Sequence, residues 1–199
     1  MKKYISIITF IVAQTLGISN VFAQDKIDNA SDNKYIIEKN HASVMWNVNH
    51  LGFSNVSGKF TNLDGYIIFD EKNLNNSKVE VEINTKDIAT GLPKFEDHLR
   101  SEDFLNVKKY PKAKFVSKKI VKKTQNTAEI YGDLTLLDVT KEVVLKVKFN
   151  KSAPNPMNKK PTIGFSATTA IKRSDFNMSY AIPNVADKVD LIIEVEANK

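Results

Sequence analysis

The chain has 199 residues, no cysteine and a formal net charge of +6. Without cysteine it forms neither disulfides nor thiolate metal sites, so an apolar core must hold the fold. The mild basic excess suits anionic surfaces rather than nucleic acid, because the densest lysine run, residues 108–123, contains only Tyr110 and Phe115 for base stacking and fits a solvated strand face.

The N-terminal residues have the pattern of an export signal followed by a flexible leader. Lys2 and Lys3 precede an apolar run over residues 4–13, and a small-residue cleavage site ends at Ala23. The apolar run is shorter than the ~20 residues of a membrane-spanning helix. We therefore expect a periplasmic protein. The expected divisions are a signal peptide over 1–23, a leader over 24–33 and one domain over 34–199.

From residue 34 onward, apolar and polar side chains alternate with a period of two. Val44, Trp46 and Val48 alternate with polar or flexible neighbours, as in a half-buried antiparallel strand. The same pattern or a strand-like composition occurs in 35–38, 65–70, 79–83, 113–121, 128–136, 143–149, 163–171 and 189–195. This spacing predicts an all-β fold, an antiparallel sandwich or barrel of about eight strands.

One segment between the strands has a helical period. Leu92, Phe95 and Leu99 fall on one helical face, and Pro93 suits a first turn. We predict one short helix over about 92–105, near one end of a barrel.

Catalytic and metal-binding motifs are absent from the sequence pattern. There is no HExxH, phosphate-binding loop or dinucleotide fingerprint. Ser166 follows Gly164 as in a nucleophile elbow, but it lies in a strand pattern without the closing glycine. His50 and His98 have no metal-ligand spacing, so a metal site between them would depend wholly on the fold. We predict no catalytic residue, no metal and no catalytic cofactor.

Five short motifs resemble, in order and spacing, those of the YceI-like family of exported polyisoprenoid-binding proteins, and they span nearly all of residues 34–199. They are His50-Leu51-Gly52-Phe53, His98-Leu99-Arg100-Ser101-Glu102-Asp103-Phe104 followed by Tyr110-Pro111, Gly132-Asp133-Leu134-Thr135, Val139-Thr140-Lys141 and Arg173-Ser174-Asp175-Phe176. Two positions depart from the family pattern, since Asp138 and Asn177 stand where glycine is usual. Both residue types tolerate a left-handed backbone.

The resemblance implies an antiparallel, lipocalin-like β-barrel with an interior tunnel for an isoprenoid chain, such as a prenyl pyrophosphate or a quinone tail. It implies binding, carriage or storage of that lipid, without established catalysis. Transient contact with a membrane surface and a homodimer are left open, and nucleic acid is not expected. The residues expected to line the tunnel are Phe53, Phe60, Phe104, Phe115, Leu134, Phe165, Phe176 and Met178. The polar residues expected to contact the ligand or to hold loops at the barrel mouth are His50, Asp97, His98, Arg173 and Asp175.

Two other functions stay open at this point. An enzyme acting on a lipid-like substrate in the same barrel would need a polar cluster around one bound atom. A structural or stress-response barrel would be filled by its own side chains, and patterning alone favours such a filled core over a ligand tunnel.

Overall fold

The structure is a computed structural model that describes residues 32–199. The predicted signal peptide and nearly all of the predicted leader lie outside these residues. The strands are β1 (Lys34–His50), β2 (Ser54–Phe60), β3 (Leu63–Ile68), β4 (Lys78–Asn84), β5 (Ile88–Ala89), β6 (Lys112–Lys122), β7 (Thr127–Leu136), β8 (Val139–Pro154), β9 (Pro161–Lys172) and β10 (Lys188–Asn198). The helix α1 is Pro93–Arg100, and 3-10 turns lie at Leu74–Asn76, Thr85–Asp87 and Ser174–Phe176.

The sheet closes on itself as an antiparallel barrel. Its order is β10-β9-β8-β7-β6-β4-β3-β1-β2-β5, and β10 also pairs with β1. The strands β2 and β3 run in the same direction and pair with different halves of β1, so together they occupy one place in the wall. The ring therefore has eight places, which confirms the predicted all-β barrel.

Alternating strand directions place the connections at two opposite ends. We call the end that carries the β3–β4, β6–β7 and β8–β9 connections the open end. The closed end carries the β1–β2, β7–β8 and β9–β10 connections together with the segment 85–111, which contains β5 and α1. Within residues 32–199, no helix is long and apolar enough to cross a membrane.

A buried apolar cluster fills the closed end. Trp46 and Val48, at the end of β1, pack there with Leu99 of α1, Leu105 and Met178. The sequence alternation had predicted that Val44, Trp46 and Val48 face the core, and all three are buried. The connections at this end thus act as a plug, which we call the closed-end cluster.

The helix is shorter than the predicted range of about 92–105. It ends at Arg100 because Ser101 turns back onto the carbonyl of His98, to which both its backbone N–H (3.0 Å) and its hydroxyl (2.7 Å) donate. A serine side chain that binds a nearby backbone carbonyl competes with continued helix.

Asp138 and Asn177, the two departures from the family pattern, have φ angles of 64° and 60°. Both residues therefore adopt the positive φ that their residue types tolerate.

Candidate ligand-binding cavity

An apolar cavity of about 490 Å³ lies inside the barrel between the closed-end cluster and the open end. Its wall consists of the inward-facing side chains of eight strands, mostly valine, leucine, isoleucine and phenylalanine. Representative wall residues are Val44, Val79, Val81, Ile83, Phe115, Ile130, Leu134, Val143, Leu145, Val147, Phe165, Ala167, Leu191, Ile193 and Val195. The predicted tunnel is thus a cavity that the closed-end cluster blocks at one end.

Three phenylalanines contact one another in the part of the wall nearest the open end. The ring centroids of Phe69 and Phe149 are 5.5 Å apart, those of Phe69 and Phe165 5.4 Å, and those of Phe149 and Phe165 5.5 Å. All three line the cavity. The backbone N–H of Phe149 donates to the carbonyl of Asn126 (2.8 Å), which ties β8 to the β6–β7 turn. These three rings therefore form an aromatic part of the cavity wall near the open end.

The rim of the cavity at the open end is polar. Its polar side chains come from the β3–β4 connection and from the β6–β7 turn, namely Glu71, Ser77, Lys122, Thr124, Gln125, Asn126 and Thr127. Hydroxyl, amide and ammonium groups at this rim suit the polar head of a ligand whose apolar part lies inside.

A glycine on β7 makes room for an aromatic wall residue. A Cβ atom at Gly132 would lie 2.4 Å from Cζ of Phe115 and 2.6 Å from the carbonyl oxygen of Val116. Such approaches are far inside van der Waals contact. The glycine of the Gly132-Asp133-Leu134-Thr135 motif therefore lets the Phe115 ring lie against the neighbouring strand, and its first role is in packing.

Of the eight residues predicted to line the tunnel, three lie in the cavity wall: Phe115, Leu134 and Phe165. Phe60, Phe104 and Met178 instead pack in or against the closed-end cluster, and Phe176 is buried in the β9–β10 connection. Phe53, in the β1–β2 turn, is 90% exposed. Phe104 and Met178 join the plug because their connections fold over the barrel end, whereas the β1–β2 turn leaves Phe53 in solvent. Ligand contact by any of the eight stays a prediction.

The five predicted polar residues all lie at the closed end, away from the cavity rim. His98 contacts Asp103 (Nε2 to Oδ2, 3.0 Å) and lies against the rings of Phe104 and Tyr180. Asp97 accepts from Arg100 (3.1 Å).

Exposed His50 forms an isolated bridge with Val185, and Asp175 is exposed in the 3-10 turn. The predicted position of His50, Asp97, His98 and Asp175 at the mouth is thus corrected to the closed end. Their role in holding loops or contacting the ligand stays a prediction.

Arg173 organises the β9–β10 connection from within. It is 5% exposed, and its guanidinium donates to the carbonyls of Ala186 (3.1 Å), Val185 (2.9 Å), Tyr180 (3.1 Å) and Met178 (3.5 Å). Burial lowers its pKa, although a guanidinium stays charged at any ordinary pH. The backbone N–H and hydroxyl of Ser174 bind Asp187 and lower the pKa of that carboxyl.

The sequence reasoning missed Phe69 and Phe149 as cavity residues. Phe149 continues the alternation of Val143, Leu145 and Val147, so its parity on β8 already indicated an inward side chain. Phe69 follows the last residue of β3, where no period applies.

The structure also places the weaker chemical candidates. Ser166 lies among the even-numbered residues of β9, opposite to the cavity-lining ones; it donates to Glu194 (2.6 Å) and accepts from Asn150 (2.9 Å). Within residues 32–199, no group of three His, Cys, Asp or Glu side chains is arranged to hold a metal ion.

Comparison with known proteins assigns the fold to a family. The model of the YceI-like domain matches residues 35–197. Protein YceI of Escherichia coli is 41% identical over 196 residues, which cover 98% of this chain and 97% of the relative.

Two solved structures have the same architecture. That of the Campylobacter jejuni YceI protein superimposes with a TM-score of 0.69 at 35% identity, covering 76% of this chain and 89% of that one. A polyisoprenoid-binding domain from Saccharophagus degradans shares the fold at 11% identity with a TM-score of 0.65, covering 82% of this chain and 97% of that one. Because the family model matches residues 35–197 and a relative is 41% identical over nearly the full length of both chains, the chain belongs to the YceI-like family.

Proposed function

We propose that this protein binds one long apolar chain of the isoprenoid type in its barrel cavity and carries or stores it without chemical change. The observation that carries the proposal is the cavity of about 490 Å³ with an almost wholly apolar wall and a polar rim at one end. The name of the Saccharophagus domain and the membership of the YceI-like family support the isoprenoid class.

The volume sets the length of chain that the cavity accommodates. An apolar cavity of about 150 Å³ holds one benzene molecule, so a cavity of about 490 Å³ corresponds to roughly 20 carbon atoms, or about four isoprene units. A prenyl pyrophosphate or a prenylated quinone would place its tail inside and its polar head at the rim near Lys122. An ammonium group there complements a phosphate charge.

The energetics favour a carrier or reservoir over a tight scavenger. Each methylene removed from water contributes about 0.8 kcal/mol, so a chain of this length does not cross an aqueous space free. A bilayer stabilises the same chain equally well. Transfer between membrane and barrel is therefore near neutral, and the head group decides which lipid is held.

We place this activity in the periplasm, on the strength of the export-signal pattern over residues 1–23.

The wall composition supports a binding role over catalysis, because the described lining contains two ionisable side chains, Glu71 and Lys122, and both lie at the rim. A reacting atom held deep in the cavity would meet neither of them.

Native mass spectrometry of protein isolated gently from its own cells tests the proposal. The expected result is a mass increment equal to one prenyl lipid, released by detergent and restored when a prenyl alcohol of about 20 carbons is added. Protein that is free of lipid and also ignores the added alcohol would refute the binding function. Conversion of the bound lipid during incubation would instead favour the enzyme alternative.

A further inference from the structure

Charge is distributed unequally between the two ends of the barrel. The open-end segments 69–77, 122–127 and 151–160 contain six lysines and two acidic residues, a balance of +4. The closed-end segments 51–53, 85–111, 137–138 and 173–187 contain six basic and eight acidic residues, a balance of −2. The positive charge thus concentrates around the only described end at which the cavity reaches the surface.

Several lysines on the barrel wall are paired with carboxylates on adjacent strands. Lys114 lies 2.7 Å from Glu80, and Lys118 lies 2.9 Å from Glu142. At the open end, Lys123 is paired with Glu129, 3.0 Å away. The other five open-end lysines are exposed and form no ion pair among the described residues: Lys72, Lys122, Lys151, Lys159 and Lys160. What distinguishes the open end is therefore its net charge, because few carboxylates lie beside these lysines.

The β8–β9 turn adds an apolar side chain to this charged end. Met157 is 90% exposed and lies two residues before Lys159. The turn is internally bonded, since the backbone N–H groups of Met157 and Lys159 both donate to Asn155 (2.8 Å each), one to its side chain and one to its carbonyl. Met157 is therefore presented outward by an ordered turn, so its insertion costs little conformational entropy.

We propose that the open end docks on an anionic lipid bilayer, with Met157 entering the interfacial region and the surrounding lysines contacting the headgroups. Charge complementarity identifies the occupant, since each lysine near an anionic leaflet strengthens binding several-fold. The inference rests on the proposed function for its purpose, because docking in this orientation turns the cavity mouth toward the lipid source.

The closed end is the natural control surface. It exposes Phe53 and Leu92, which are at least as apolar as Met157, but its balance is negative and its cluster blocks the cavity. If apolar exposure alone determined membrane binding, this end would dock. The two ends therefore separate an electrostatic bilayer contact from a general hydrophobic one.

Vesicle flotation of the protein, expressed from the complete chain and purified in the form that the cell produces, tests the inference. Vesicles of equal parts phosphatidylglycerol and phosphatidylcholine are compared with vesicles of phosphatidylcholine alone. The open-end variant is Lys159→Glu with Lys160→Glu, and the matched closed-end variant is Lys94→Glu with Lys108→Glu, which changes the net charge equally. Met157→Ser is paired with Phe53→Ser.

We expect binding to the anionic vesicles only, weakened as salt rises. The open-end charge reversal should weaken it by at least roughly 30-fold, because it removes two lysines and adds two repelled carboxylates. Met157→Ser should weaken it roughly tenfold. Both closed-end variants should stay within about twofold of the unaltered protein, because they lie away from the docked surface.

Equal binding to neutral vesicles, no binding to anionic ones, or equal losses from both charge reversals would overturn the inference. Native mass spectrometry of the same variants keeps it separate from the proposed function. Protein that docks but carries no lipid refutes the function alone, and protein that carries lipid but does not dock refutes the docking alone.

Discussion

A phenylalanine at position 167 should shorten the chain that the cavity holds. Ala167 is a buried wall residue of β9, paired with Val147 and Ile193, which also line the cavity. An added ring occupies about the volume of a benzene molecule, ~150 Å³, or about a third of the 490 Å³ available. It therefore displaces about six carbons of a bound tail.

The loss of affinity follows from those carbons. Six methylenes at about 0.8 kcal/mol each set an upper limit of about 5 kcal/mol. A chain that moves toward the rim keeps some of its contacts, so we expect binding of a prenyl alcohol of about 20 carbons to weaken about 100-fold, or ~2.7 kcal/mol. A prenyl alcohol of about ten carbons should be affected much less, because it fits the remaining volume.

Titration of lipid-stripped protein, followed by native mass spectrometry, measures the affinity for both ligands. The control is Ala170→Phe, which makes the same change on the exposed face of the same strand. Unchanged affinity of Ala167→Phe for the longer alcohol, or an equal loss in Ala170→Phe, would show that the ligand lies outside this cavity. Circular dichroism melting checks that both variants are folded.

Three further predictions concern stability. Gly132→Ala should cost about 1–3 kcal/mol in urea unfolding, because its methyl group would overlap the Phe115 ring; a neutral effect would mean that the ring moves freely. Arg173→Leu should cost about 3–5 kcal/mol by leaving buried carbonyls unpaired, and a loss below about 1 kcal/mol would contradict its role in the β9–β10 connection. The pKa of Glu80 is lowered to about 2 by hydrogen bonds from Lys114, Tyr66 and Lys78. The stabilisation from ionised Glu80 is therefore complete above the unfolded pKa near 4.5 and lost as pH falls through about 2. The urea midpoint of Glu80→Gln should thus depend less on pH in this window than that of the unaltered protein. Parallel curves for the two proteins would refute this coupling.

The alternation of side chains predicted the barrel wall well, because strand parity directly encodes which face is inside. Val44, Val147 and Phe165 follow it, and each lines the cavity. Closure of the barrel by pairing of β1 with β10 could also be predicted, since a run of short antiparallel strands favours a barrel.

The positions of the motif side chains in the fold could not be predicted from strand parity. Phe104 and Phe176 occupy the closed end because long connections fold over it, and that choice depends on contacts between residues far apart in the chain. Local sequence favours burial of such aromatics, but it does not identify the cluster that they join, and Phe53 stays exposed. The same holds for Arg173, whose partners are backbone carbonyls and therefore leave no mark in the sequence pattern.

The blocked closed end has a consequence for chains longer than the cavity. A ligand enters and leaves by one mouth, so a prenyl chain of more than roughly 20 carbons keeps its remaining units outside the rim. In water those units cost about 0.8 kcal/mol per exposed methylene. When the open end is docked on a bilayer, they stay in the membrane and the cost disappears. Long chains should therefore exchange readily between docked protein and bilayer, whereas undocked protein retains only those whose tails the cavity nearly covers.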